Sequence, residues 1–88
     1  VVLDIGATLK TAREQQGISL DDAAEATKIR SSYLVALEEE AFDQLPGPTY
    51  ARGFLRSYAE LLGLDPQLLI DEFNVRFAAA PWEIDDDV

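Results

Sequence analysis

The apolar positions of this chain recur every three to four residues, which is the period of helices. Ile5, Leu9 and Ala12 stand at i, i+4 and i+7 and predict a first helix from Ile5 to Gln16, ended by Gly17. Ser19 opens a second. Ser19-Leu20-Asp21-Asp22 has the S-x-x-D form that satisfies free N–H groups of a first turn. Leu20, Ala23, Ala24 and Thr27 share the inner face of that helix. Lys28-Ile29-Arg30 reads as a tight connection. Ser31 or Ser32 is expected to cap a third helix, with Leu34 and Leu37 pointing inward. Its end carries Glu38-Glu39-Glu40 against the negative pole of the helix dipole, and reads as a solvated terminus.

Pro46-Gly47-Pro48 places a loop from Ala41 to Thr49, with Phe42 and Leu45 tucking back onto the core. A fourth helix follows from about Thr49 to Leu62 and closes at Gly63. Asp65-Pro66 supplies the cap and first position of a fifth, in which Leu69, Phe73 and Phe77 recur one turn apart. No strand is expected, so the fold class is all-α. A domain over residues 5–77 precedes an acidic tail or linker over 78–88, on which Trp82 is a candidate for docking.

The chain has 88 residues, enough for one small domain. It starts Val1-Val2-Leu3 and holds no Met, so it reads as part of a longer protein. No apolar run approaches the roughly 18 residues that span a bilayer. With neither Cys nor His, thiolate and imidazole metal sites, Cys nucleophiles and His-based triads are absent. The acidic residues lack the spacing of a calcium loop. No phosphate loop or paired carboxylate points to an enzyme, and no cofactor or metal is expected.

Residues 20–37 carry the pattern of a helix-turn-helix. Two short helices cross steeply over a small residue, Ala24, with Ile29 in the turn and Leu34 and Leu37 in the second helix. With the flanking helices this gives a five-helix domain of the phage-repressor type. Lys28 departs from the pattern. It takes the turn position where glycine is common, so the turn is expected to differ or the helix to run on by a residue.

Such a pair can read DNA through the second helix. Its outward positions are read as Arg30, Ser31, Ser32, Val35 and Ala36, followed by three glutamates. Lys10, Arg13 and Lys28 could meet backbone phosphates. Lys28, Arg30, Ser31 and Ser32 are therefore the candidate DNA-binding residues of a regulator reading. The net charge of −10 disfavours it, because a phosphate-binding surface needs basic groups.

The fourth helix offers a different surface. Ala51, Leu55, Tyr58 and Leu62 form its core stripe, while Tyr50, Phe54 and Leu61 form a second stripe about 80° away. Loops covering Tyr50 and Phe54 would explain that second stripe; so would a protein partner, since aromatic and Arg residues are frequent interface anchors. Gly53 would then let a partner backbone approach closely. Arg52 and Arg56 lie on the opposite flank, where ion pairs with local acids such as Glu60 are the plain alternative.

The string "YARGFLRSYAELLGL", supported by "LKTARE" and "GISLDDAA", resembles the N-terminal helix-turn-helix domain of RodZ-like bacterial cell-shape proteins. The resemblance covers roughly residues 5–77. It implies a cytoplasmic domain at the bacterial inner membrane, followed by a linker and one transmembrane helix outside this chain. It also implies a partner, the actin-like filament protein MreB, met by an aromatic pair at positions 50 and 54. Arg52, Gly53 and Arg56 match the same string. The chain itself is expected to be soluble and monomeric, with nucleic acid disfavoured.

Overall fold

A computed structural model describes residues 4–77, with side chains through position 76. The expectations for the 78–88 tail, for Trp82 and for the Phe77 side chain lie outside the described residues.

The chain folds into α1 (Ile5–Gln15), α2 (Leu20–Thr27), α3 (Ser31–Glu38), a short 3-10 turn (Phe42–Gln44), α4 (Pro48–Leu62) and α5 (Pro66–Phe77). There is no strand among the described residues. The boundaries follow local chemistry. Asp4 accepts from the Ala7 N–H and starts α1, and Ser19 accepts from the Asp22 N–H and starts α2. Gly17 and Gly63 turn the chain at φ +67 and +76°, a region that glycine enters at little cost.

The core is built around α4, which touches each of the other four α-helices. Its stripe of Ala51, Leu55, Tyr58 and Leu62 is buried as expected, and Ala59 joins it. Ile5, Leu9, Leu34, Leu37, Leu69 and Phe73 pack into the same cluster. Each large apolar side chain buried there contributes on the order of 1.5–3 kcal/mol. Phe42 and Leu45 do fold back onto it, with the Phe42 ring meeting Phe73 edge-on at 5.2 Å.

Four local expectations fail. First, Lys28 adopts the left-handed conformation itself, at φ 63°, so the turn keeps its usual shape and α2 does not run on. Second, Arg30 is the N-cap of α3 and neither serine caps it through its side chain. Third, Ala36 is buried rather than outward, and the fully buried alanine of α2 is Ala23, Ala24 being only partly covered.

The fourth concerns the glutamates. Only Glu39 is exposed. The Glu38 carboxylate takes hydrogen bonds from Arg13 Nε at 2.8 Å and Nη2 at 3.2 Å, and from the Tyr58 hydroxyl. Glu40, at φ 57°, accepts from the Gly6 N–H at 2.9 Å and from Arg76 Nη1 at 2.7 Å. The end of α3 is thus a junction with α1, α4 and α5. Arg13 opposes the unfavourable dipole there. Gly6 makes the approach possible: a Cβ at that position would lie 2.1 Å from the Glu38 carbonyl oxygen.

Candidate protein-interaction surface

Tyr50 stands in the first turn of α4 and is 59% exposed. Phe54, one turn on, is half-buried, with its ring centroid 6.1 Å from that of Tyr50. Its other neighbour is Tyr33 of α3, stacked at 5.3 Å and 19°. The three rings form one strip that crosses from α4 to the second helix of the helix-turn-helix. Phe54 is held between neighbours, so the exposed aromatic end of the strip is Tyr50.

Sequence reasoning missed Tyr33. Its signal was its position: it directly precedes Leu34 and lies one turn before Leu37, so it borders the inner face of α3. A large ring on that border reaches the adjoining helix.

Gly53 lies on the exposed side of α4, and a Cβ there would meet nothing within 4 Å. No neighbour, turn or left-handed angle within the domain requires glycine at this point. An interior helical glycine costs roughly 1 kcal/mol relative to alanine.

The two arginines part company. Arg52 Nε donates to Asn74 Oδ1 at 2.7 Å, and its guanidinium lies 5.7 Å from the Phe73 ring centroid. It ties α4 to α5. Arg56 is exposed and forms no ion pair among the described residues, with Glu60 or otherwise.

Of the candidate DNA contacts, Lys28, Arg30 and Ser32 are exposed and Ser31 is half-buried. Arg13 does not join them, because Glu38 and the Ile18 carbonyl hold its guanidinium. The Glu38 bond also raises the affinity of Arg13 for its proton. No group of acidic residues able to hold a metal ion occurs among the described residues. A cleft of about 470 Å³ between Glu40 and Pro48 has only Glu40 and Asp43 as charged lining, and Glu40 is already engaged by Arg76. No described helix is long and apolar enough to cross a membrane.

Two short helices, α2 and α3, joined by a tight turn and embedded among five helices, define a helix-turn-helix domain. The chain belongs to the family described as "Helix-turn-helix domain", whose model matches residues 8–69.

Among its relatives is the cytoskeleton protein RodZ of Streptococcus pneumoniae, 41% identical over 83 residues. That match covers 94% of this chain and 30% of the relative. The membrane protein YmfM of Bacillus subtilis is 51% identical over 55 residues, covering 62% of this chain and 19% of the relative. The chain therefore spans less than a third of the length of these relatives. A solved structure of YmfM from Staphylococcus aureus, a membrane protein described as a candidate DNA binder, superposes with a TM-score of 0.78 at 34% identity. It covers 91% of this chain and all of the solved one. The all-α helix-turn-helix fold and the RodZ-like resemblance are both borne out.

Proposed function

We propose that this domain is the non-enzymatic interaction module of a membrane-anchored cell-shape protein. It binds the actin-like filament protein MreB through α4 at the cytoplasmic face of the bacterial inner membrane. Residues 5–77 form the module, and 78–88 begin the linker towards a membrane span. The observation that carries the reading is Gly53, open to solvent and without an internal reason, beside the exposed Tyr50. A glycine that weakens its own helix fits a place where a partner backbone approaches. The similarity to RodZ of S. pneumoniae, a cytoskeleton protein, supports the choice of partner.

Co-sedimentation with MreB filaments from the same organism tests it. The chain pellets with filaments, and the Tyr50→Ala/Phe54→Ala variant does not, while its helical circular dichroism is retained. Unchanged pelleting by that variant removes α4 as the site.

The name of the S. aureus relative keeps DNA binding as the second reading, through Lys28, Arg30, Ser31 and Ser32. Against it stand the net charge of −10 and the absence of Arg13 from that face. Fluorescence anisotropy with duplex DNA at low salt decides. Tight binding that falls steeply with salt and is lost in Lys28→Glu/Arg30→Glu would replace the filament reading.

A further inference from the structure

The sequence that follows α5 carries Trp82, the one tryptophan of the chain. Two exposed apolar features offer its ring a place. One is the outer face of α5, where Leu68 and Val75 are 59% and 79% exposed. The other is the cleft between the 3-10 turn and the start of α4, lined by Phe42, Leu45, Pro46, Gly47 and Pro48.

The first is disfavoured by the sequence. Leu68, Val75 and Trp82 are spaced seven apart, so a helix continuing through position 82 would be needed to align them. Pro81 opposes that, because it lacks an N–H donor and disfavours helical angles at Ala80 before it.

The cleft lies within reach. The last turn of α5 is bound to its wall, with Arg76 Nη1 donating to Glu40 Oε1 at 2.7 Å. One turn earlier, the Phe73 ring meets Phe42, which lines the cleft, at 5.2 Å. Trp82 is six positions after Arg76, and an extended chain of that length spans up to about 20 Å.

The chemistry of the cleft suits an indole. Phe42 and Leu45 form an apolar floor, and the rings of Pro46 and Pro48 hold its wall stiff, so little ordering is needed to receive a ring. Its charged groups, Glu40 and Asp43, are both acceptors, and an indole brings one N–H donor and no charge. Glu83 and Asp85-Asp86-Asp87 carry the same sign as those carboxylates and are kept out by them.

We infer that Trp82 docks in this cleft, with its ring against Phe42, Leu45 and the two prolines. The domain then extends to Trp82, and the linker of the reading above starts beyond it. Docking braces the start of α4, which has no side-chain cap and carries Tyr50 in its first turn, from the point where the chain departs. The inference is independent of the partner that α4 meets.

Fluorescence tests it, since excitation selective for tryptophan reads Trp82 alone. Emission of the native chain should be blue-shifted from that of the urea-denatured chain, with much weaker quenching by acrylamide. Gly47→Glu should move both towards the denatured values while helical circular dichroism is retained. Gly47 is extended at φ 167°, and a Cβ there meets nothing within 4 Å. Added salt should leave the blue shift in place, because the flanking charges repel. Nuclear Overhauser contacts from the indole, read on the unaltered chain, should reach Leu45 and Pro48, and they decide even where Gly47→Glu does not fold. Trp82→Ala should lower the urea midpoint. Denatured-like emission from the native chain, a blue shift that Gly47→Glu leaves untouched, or an unchanged midpoint in Trp82→Ala would overturn the inference. Overhauser contacts to Leu68 and Val75 instead would move the ring to the outer face of α5 and overturn it equally.

Discussion

Arg13 of α1 grips Glu38 of α3 with two hydrogen bonds inside the domain, the two side chains being only 13% and 5% exposed. Breaking a buried pair by removing one partner costs about 3–5 kcal/mol, because a charge is left uncompensated. A domain of this size has only about 4–13 kcal/mol in total, at the usual stability per residue. Arg13→Met should therefore lower the urea midpoint severely. Replacing the whole group by Arg13→Met/Glu38→Leu/Tyr58→Phe should recover most of the loss, since no buried charge or hydroxyl is then left unpaired and only the half-buried Ile18 carbonyl loses its donor. Equal losses in the single and triple variants would show that the charge is not the cause.

The buried hydroxyl that Glu38 accepts from governs the response to alkali. Burial, and then the hydrogen bond to Glu38, push the Tyr58 hydroxyl well above its usual range. The folded state thus holds this proton more tightly than the unfolded chain does. The corresponding stability is fully present below about pH 10, the unfolded value, and is lost as pH rises beyond it. Stability measured by denaturant between about pH 9 and 11.5 should fall in the wild type. The slope should be shallower in Tyr58→Phe, although that variant starts about 1–2 kcal/mol lower at neutral pH. Parallel slopes would refute the assignment to Tyr58.

Gly6 and Gly53 should behave oppositely. A methyl group at Gly6 strikes the Glu38 carbonyl, which is backbone and cannot step aside. Gly6→Ala should cost more than about 2 kcal/mol, as overpacking between two helices does. At Gly53 the space is empty, so Gly53→Ala should stabilise by about 0.5–1 kcal/mol. Thermal melts of the two variants check both signs. Gly53→Gln should also stabilise while weakening filament binding, a separation of stability from function that the partner reading requires.

That contrast shows what the sequence makes legible. Helix periods, Gly17, Ser19, Asp65 and the α4 core stripe depend on residues near one another in the chain, and all were readable. Gly53 was conspicuous because glycine is unusual inside a helix. Gly6 lies in the first turn of α1, where glycine is unremarkable, and its reason is a neighbour 32 positions away in the chain. The glutamate triplet was misread for the same cause: Arg13, Tyr58 and Arg76 approach it only once the helices pack. Of the surface on α4, Tyr50, Phe54 and Gly53 could be picked from helical angles. The loss of Arg52 to Asn74, and the gain of Tyr33, required the placement of α5 and α3.

Lys28 carries a backbone strain that its side chain does not relieve. A left-handed non-glycine residue costs roughly 1–2 kcal/mol, partly offset in glycine by the freedom of its unfolded chain. Lys28→Gly should therefore stabilise by about 0.5–1 kcal/mol in chemical denaturation. A variant no more stable than the wild type would mean that the left-handed angle at Lys28 carries no strain.

Tyr33 gives the sharpest test of whether α3 belongs to the partner surface. It stacks on Phe54 without contributing to α4, so a surface confined to α4 would need it only as a support. Stacked pairs of this kind contribute about 0.5–1.5 kcal/mol. Tyr33→Phe keeps the ring and the stack and removes only the hydroxyl. Tyr33→Ala removes both. If Tyr33 merely props Phe54, Tyr33→Phe should bind filaments like the wild type, and Tyr33→Ala should lose no more affinity than Phe54→Ala. If the strip is one surface, Tyr33→Ala should still weaken binding in a Phe54→Ala background. A double-mutant cycle by co-sedimentation separates the two cases, and a second loss of zero in that background would confine the site to α4.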